Sequence, residues 1–424
     1  MPNFKTVRGM RDLLADETAI LNFVVCKARE TSQLYGYKEV ITPIIEPYEL
    51  LSAKSGEEIR QRMFVFKDLG DRNVALRPEF TASIARLAIT ASKTDPKPLR
   101  FFSVGSVYRY DEPQRGRYRE FWQSNFELIG SKNPEADAEA ILLTNNLLKT
   151  AGLRDYAFKI GHIGVIRGVL NQENVEDRIQ NAVLQRMDKK EYEEAFKLIP
   201  QENCRARLKG LLELKGDTPF ETAEKINKYV EGYVEAEAAA DNLMEILQLV
   251  IANGCPVKTV DPAFARGLEY YTGIIFEATV PELDIALGGG GRYDRLIEVF
   301  GGESTPAVGV AHGVDRVVLA LQAQKNTLLT ERSKTAVVIS VKRDLKLEAL
   351  KISQLLREAG VPVEFEVMGR KISKALEDAD RRKVDYAVIV GQRELMDDAV
   401  VVRDLAKREQ TTVKIAELSE KIKS

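Results

Sequence analysis

"LRFFSVGSVYRYDEPQRGRYREFWQSNFELIG", Leu99 to Gly130, is the stretch whose reading decides the fold. Two runs rich in aromatic and β-branched residues flank "DEPQRGR", whose proline and glycine break regular structure, so the pattern predicts an antiparallel hairpin with a long loop. Alternation along the second run sends Phe121, Gln123, Asn125 and Glu127 to one face, and Trp122, Ser124, Phe126 and Leu128 to the other. One face supplies core and the other a polar surface. Arg109, Arg115, Arg117 and Arg119 crowd the same hairpin among carboxylates and rings. Taken alone, they fit a solvated charged loop or a surface for anionic ligands.

Upstream, "DETAILNFVVCKARETSQLYG" has helical spacing, with Ile20, Phe23, Val24 and Lys27 on one side and Gly36 placed to end it. "KEVITPIIEP" reads as a strand. "LRPEFTASIARLAITA" reads as a helix from near Pro78, with Phe80, Ile84, Leu87 and Ala88 on one face and Glu79 and Thr81 at its start. Downstream, residues 165–240 are charged, helical and free of strand patterning, which suggests a helical insertion. Strand character returns with "GLEYYTGIIFEATV", where opposite-facing neighbours put one of Tyr270 and Tyr271 in the core. The glycine run Gly288–Gly291 follows, then "PAVGVAHGVDRVVLALQAQ", whose Val314, Val317, Val318 and Leu321 mark one helix face.

The expected organisation is α+β: a catalytic domain over 1–164 and 241–323, the insertion at 165–240, a polar linker at 324–334, and a small α/β domain at 335–424. In that last part "TAVVISV", "VPVEFEV" and "DYAVIVG" are short buried-strand runs alternating with amphipathic helices.

At 424 residues the chain exceeds what one compact core usually supports. Its three cysteines are scattered and form no CxxC pair, which fits a reduced cytoplasmic protein with structural thiols. Two histidines, His162 and His312, exclude a multi-histidine metal site and have a structural role as their simplest reading. The N-terminal "MPNFKTVRGMRDLLADE" has no apolar signal region, and no stretch reaches the ~18–20 apolar residues of a membrane helix. A net charge of −2 argues against a globally basic nucleic-acid binder, so any RNA contact rests on local arrangement.

A P-loop needs GxxxxGK[ST], but the glycine run continues as "GGGGRYDRL"; GxGxxG is absent too. What remains is Arg109 at a strand end, Arg266 before "LEYYTGIIFEA" and Arg316 in the first turn of a helix. Planar, permanently charged guanidinium groups suit phosphate and carboxylate oxygens. Spacing alone leaves three unrelated surface ion pairs as the simpler reading.

The ordered strings "VRGMRDLL", "GYKEVITPIIEP", "LRPEFTASIARL", "VYRYDEPQRGRYREFWQSNFELIG", "RGLEYYTG", "GGGGRYDRL" and "PAVGVAHGVDRVVLAL" change that balance. Together they resemble the histidyl-tRNA synthetase family, of the class II aminoacyl-tRNA synthetases, from near Val7 to the C-terminus. "RGLEYYTG" and "GGGGRYD" are the most specific. The resemblance implies the class II antiparallel-sheet catalytic domain and an anticodon-binding domain at the C-terminus. It implies ATP-dependent attachment of L-histidine to tRNA(His) through a histidyl-adenylate, with Mg2+ bridging the phosphates and no metal held by the protein alone. A homodimer is implied, with Pro43 at its interface.

By the same resemblance Arg109 contacts the α-phosphate and the amino-acid carboxylate, with Asp111 beside it at the ATP. Arg316 holds the far end of the triphosphate, and Arg266 stabilises the transition state at the α-phosphorus. Glu79, with Thr81, takes the ammonium. Glu127 and Tyr271 grip the imidazole, with Gln123, Tyr270 and Tyr293 alongside. Gln114, Arg115 and Arg117 lie near the tRNA acceptor end, and a hairpin salt bridge is the role left for Arg119. Asp111, Glu112 and Glu269 depart from the bacterial pattern and look like the archaeal and eukaryotic branch. A catalytically silent relative, such as the synthetase-like regulatory subunit of ATP phosphoribosyltransferase, is the alternative; Arg109, Arg266, Arg316 and the C-terminal domain argue against it.

Overall fold

The computed structural model describes residues 4–53, 57–265, 270–326 and 334–423. The chain divides into two compact units, Met1–Leu329 and Thr330–Ser424.

The first unit is built on an eight-stranded sheet. Its order is Lys38–Glu39, Leu99–Tyr108, Glu120–Ile129, Ala307–Gly313, Gly288–Arg292, Ile274–Thr279, Ala157–His162, Val257–Val260. The six inner strands are antiparallel, and the two edge strands pair parallel to their neighbours. The hairpin forms as predicted, in unbroken register from Leu99 opposite Ile129 to Tyr108 opposite Glu120. Phe102, Phe126 and Leu128 are buried on the face covered by the helices Ala15–Leu34, Pro134–Thr150 and Val314–Ala323. The opposite face carries Phe121, Gln123 and Asn125 into an open cavity.

The glycine run is itself a central strand, Gly288–Arg292, between Ile274–Thr279 and Ala307–Gly313. Close approach is the reason. A Cβ on Gly290 would stand 2.0 Å from the Gly309 carbonyl oxygen, and one on Gly291 2.4 Å from that of Ile274. Side chains here would force the strands apart.

Several local expectations shift. "KEVITPIIEP" is two short strands, Lys38–Glu39 and Ile45–Pro47, separated around Pro43; the second joins a three-stranded sheet with Val65–Lys67 and Asn73–Leu76. Proline lacks the N–H that a continuous ladder requires. In Ala15–Leu34 the buried stripe is Leu21, Val24, Val25 and Ala28, so the inward face is rotated from the one predicted. The next helix begins at Thr81, three residues after Pro78, because Glu79 and Phe80 form its entry. Six helices run from Ile163 to Ala252, so helical structure extends past residue 240 before the edge strand Val257–Val260. Tyr270 and Tyr271 precede the strand Ile274–Thr279 and do not alternate across it.

The second unit is a mixed five-stranded sheet ordered Val363–Phe365, Ala336–Ser340, Tyr386–Val390, Ala399–Asp404, Gln410–Lys414. Its first three strands are parallel and its last two antiparallel. Val338, Val388, Val390 and Val402 face Ile352, Leu356, Leu418 and Ile422 in one cluster, while Val337, Ile339 and Ala387 meet Ala375 and Ala379 in another. Both sheet faces are therefore covered, as the continuous apolar runs required.

Gly290→Ala is expected to lower the unfolding free energy by about 3 kcal/mol or more, as overpacking against backbone that has no rotamer escape. The urea midpoint measures it, and an unchanged midpoint shows that the strands can spread.

Candidate active site

The cavity on the open sheet face has a volume of about 720 Å³. Glu79, Thr81, Arg109, Asp111, Arg117, Gln123, Tyr270, Tyr271, Tyr293 and Arg316 all line it. These residues span more than two hundred positions of sequence and come from the hairpin, the entry to helix Thr81–Ala91, the segment before Ile274, the end of strand Gly288–Arg292, and the strand-to-helix junction at Gly313. Arg266 lies outside the described residues. Gln114 and Arg115 sit on the exposed loop and do not line the cavity. A second cavity of about 670 Å³, between the helical segment and the Val257–Val260 edge, contains none of the expected site residues.

Glu127, 1% exposed, does not itself line the cavity; it is buried behind Thr81, Asn125, Tyr293 and Gly309, which do. Thr81 Oγ1 donates to its Oε1 at 2.6 Å, the Tyr293 hydroxyl donates to its Oε2, and the Asn125 side chain adds a further hydrogen bond. Gly309 lies directly across on the adjacent strand, and a Cβ there would overlap Glu127 Oε2 at 1.6 Å. Burial pushes the Glu127 carboxyl up to about 7; the bonds from Thr81, Tyr293 and Asn125 oppose that rise, and the nearby Glu79 charge adds to it. This carboxylate is poised to titrate near neutrality.

Glu79 accepts from the backbone N–H groups of Thr81 and Ala82, both at 3.0 Å. It therefore caps the helix start and still faces the cavity. Its two oxygens keep further lone pairs for a donor in the cavity. Gln123 Oε1 and Asn125 Oδ1 are buried and find no hydrogen-bond partner among the described residues. Buried acceptors of this kind carry a desolvation cost until a ligand donates to them.

Arg109 directly follows the first hairpin strand. Its Nε donates to the Pro78 carbonyl at 2.9 Å and its guanidinium lies 5.5 Å from the Phe121 ring centroid. Arg316 donates from Nε to the Gly116 carbonyl at 3.3 Å and from Nη1 to the Ala286 carbonyl at 2.9 Å. Both guanidinium groups are oriented by backbone carbonyls, and the charge of Arg316 also lies in the field of the neighbouring Asp315 carboxylate. Asp111 pairs with Arg62 at 3.2 Å. Arg119 makes no salt bridge among the described residues; it stacks 3.6 Å from the Tyr110 ring centroid and donates to the Asp111 carbonyl.

As expected for one of the pair, Tyr271 belongs to the buried core, with Tyr270 packed against it; both also line the cavity, with ring centroids 4.9 Å apart. His312 accepts the structural role, buried between Ser124 and Thr144 and lowered to about 3 by that burial. His162 is likewise lowered to about 4 by burial. Among the described residues no group of three His, Cys, Asp or Glu converges to hold a metal.

Phe121, Asn125, Arg62, Glu277 and Asp188 also line the cavity without having been singled out as site residues. For Phe121 and Asn125 the signal was present: they alternate with Gln123 and Glu127 on the same strand face. Asp188, at the end of helix Asp177–Asp188, had no sequence signal and arrives through tertiary packing.

An antiparallel platform whose open face gathers fixed arginines, carboxylates and tyrosines, on a chain with a separate mixed-sheet unit, defines a class II aminoacyl-tRNA synthetase. The family model described as histidyl-tRNA synthetase matches residues 9–317, and the one described as anticodon binding domain matches 335–424. The histidine--tRNA ligase of Methanocaldococcus jannaschii is 40% identical over 421 residues, covering 98% of this chain and 99% of that protein. That of Sulfolobus acidocaldarius is 38% identical, covering 99% and 98%. A Bacillus halodurans structure titled an ATP phosphoribosyltransferase regulatory subunit/histidyl-tRNA synthetase matches with a TM-score of 0.76 and 27% identity, covering 89% of this chain and 97% of that one. The Nostoc histidyl-tRNA synthetase shares the fold, with a TM-score of 0.81 at 22% identity, over 100% of this chain and 99% of that one. This chain belongs to the histidyl-tRNA synthetase family.

Removing the Tyr293 hydroxyl in Tyr293→Phe takes a donor from ionised Glu127, so the Glu127 midpoint is expected to rise from about 7 by roughly one unit. Carbon-13 NMR of labelled glutamate reads it directly. A midpoint that stays in place removes Tyr293 from the network.

Proposed function

We infer that this chain attaches L-histidine to tRNA(His) at the expense of ATP. In the first step a histidine carboxylate oxygen attacks the α-phosphorus of ATP, a mixed anhydride forms and pyrophosphate leaves. In the second, the 3′-terminal ribose hydroxyl of tRNA attacks the adenylate carbonyl and AMP leaves. The single observation that carries this reading is the shared cavity: arginines for a polyphosphate line the same space as Thr81 and Tyr293, which hold the buried, titratable Glu127 carboxylate for a ring N–H.

Arg109 is assigned to the α-phosphate and the substrate carboxylate, Arg316 to the far end of the triphosphate, and Arg266 to charge developing at the α-phosphorus. Asp111 lies beside the ATP. Such chemistry rests on positioning and charge, so two buried neutral histidines are no obstacle. Glu79, with Thr81, accepts from the ammonium, and Gln123 stands alongside the imidazole. Glu127 and Tyr271 take the two ring nitrogens, with Tyr270 and Tyr293 closing the pocket. Buried groups that need those partners reject substrates lacking them by ~10⁴ or more. Mg2+, a hard cation that prefers oxygen ligands, would be carried in with the phosphates of the incoming nucleotide and would supply charge neutralisation there.

Gln114, Arg115 and Arg117 on the exposed loop are assigned to the tRNA acceptor end, and the second unit to the anticodon. The exposed side chains of Ile41, Ile44 and Ile45 around Pro43 support a homodimer interface there. The proposed organisation keeps a catalytic domain, a helical insertion and an anticodon-binding domain. No helix among the described residues is long and apolar enough to cross a membrane, and unbridged Cys26, Cys204 and Cys255 support a cytoplasmic setting.

Histidine-dependent exchange of labelled pyrophosphate into ATP tests the reaction. Arg266→Ala is expected to slow it by roughly 10² or more while histidine binding stays measurable. Folded protein that binds histidine and exchanges nothing would instead support a silent relative.

The pH dependence has a definite sign. Glu127 is ionised above about 7 and protonated below it, so KM for histidine is expected to rise as pH falls from 8 to 6. Glu127→Gln removes that enzyme-side step, leaving only the titration of free histidine. A wild-type profile identical to that of Glu127→Gln would free Glu127 of the role.

A further inference from the structure

The N-terminal string "VRGMRDLL" has no part in the assignments above, yet it touches both elements that carry the nucleotide-facing arginines. Residues 4–14 form neither helix nor strand. Met10 N–H bonds the Val7 carbonyl at 2.9 Å, turning the chain at Gly9, whose φ of +85° a side chain would strain. The Gly9 carbonyl then accepts from the backbone N–H of Arg119 at 2.9 Å, on the return side of the arginine-rich loop. A Cβ on Gly9 would stand 2.7 Å from Arg119 Cγ.

Arg11 makes the decisive contacts. Its guanidinium lies 3.7 Å from the Tyr118 ring centroid and donates to Asp315 Oδ1. Asp315 has only 4% of its side chain exposed, and its other oxygen accepts from the Trp122 backbone N–H at 2.6 Å. That N–H lies one residue beyond the last pair between the two strands, Gly313 with Gln123. Asp315 is thus a buried carboxylate locking the first turn of helix Val314–Ala323 to the hairpin, with Arg11 as its ion-pair partner and the charge of Arg316 close by. The next residue is Arg316, whose Nε reaches the Gly116 carbonyl on the same loop.

An exposed ion pair would carry no such weight. Arg8 and Glu112, 2.8 Å apart, are more than 70% exposed on both sides and contribute little. A first-turn aspartate is also favoured by the helix dipole alone, but that preference leaves it facing solvent, whereas Asp315 is buried between two specific donors.

We propose that Arg11 is a positioning residue for adenylation: through Asp315 it fixes the first helical turn so that Arg316 meets the polyphosphate. This rests on the assignment of Arg316 to ATP. Without Arg11 the buried carboxylate loses its ion-pair partner and turns toward the remaining charge of Arg316, the turn shifts, and the guanidinium of Arg316 leaves its place against Gly116 and Ala286. Glu79 comes from another element, and Glu127, five residues along the strand from Trp122, is held by its ladders to Gly309 and Phe101, so the groups assigned to histidine stay as they are.

Steady-state pyrophosphate exchange on the full chain tests this with Arg11→Gln, Arg11→Lys, Asp315→Asn and Arg316→Ala. Arg11→Gln is expected to raise KM for ATP about tenfold or more, with KM for histidine within about twofold. Arg11→Lys keeps the charge and is expected to recover most of that loss. Asp315→Asn keeps an oxygen for Trp122 and removes the charge, so it is expected to move KM for ATP in the same direction and serves if Arg11→Gln fails to fold. Arg11→Gln and Asp315→Asn, folded by circular dichroism and unchanged in KM for ATP, overturn the proposal. If Arg316→Ala still weakens ATP in that case, only the brace falls; if it does not, the ATP assignment of Arg316 falls with it. Equal losses for ATP and histidine also overturn it, by showing a general structural role.

Discussion

A carboxylate without water must be solvated by protein, and Glu127 is where this structure meets that requirement. The donors come from Thr81 at a helix start and from Tyr293 beyond the glycine strand, with Asn125 two residues away on its own strand. The space for the carboxylate exists because Gly309 opposite has no side chain. The helix entry, the hairpin and two further strands are therefore held in register around one charge. Moving any of them would strip a donor from a group that has no solvent to replace it.

The same economy of contacts governs the cations. Arg109 and Arg316 each donate to backbone carbonyls, which orient the guanidinium groups at the cavity. Arg292, by contrast, is buried against Asp137 at 3.0 Å and serves the scaffold. The distinction between a structural and a ligand-facing arginine lies in its partner, and no property of the residue type reveals it. Acceptors left open at Gln123 and Asn125 complete the picture: the floor of the cavity is built with hydrogen-bonding capacity that the protein itself does not use. Such groups lower stability and raise selectivity together.

Parts of this arrangement were legible in the chain. Alternation alone assigned the two faces of Glu120–Ile129 correctly, because a strand's side-chain period is two and one face was plainly apolar. The small α/β unit was legible for a related reason, since parallel strands covered on both faces leave continuous apolar runs. Helix Ala15–Leu34 was recognisable, but its inward face was not, because Ile20 and Leu21 are interchangeable in hydrophobicity and only packing against the sheet chooses between them. The tyrosine pair was misread as strand, since aromatic propensity cannot distinguish a strand from the segment leading into it.

The sequence by itself determined which residue types were available at short range: the hairpin with its arginines, the glycine run, and the strings that mark the family. Tertiary structure alone decided that Glu127 sits beneath the cavity and not in its wall, that Gly309 makes room for it, and that Asp188 reaches the site from the helical segment. The physical reason is range. Backbone periodicity and turn preference act over a few residues, whereas the solvation of a buried charge depends on donors brought together from distant parts of the chain by folding.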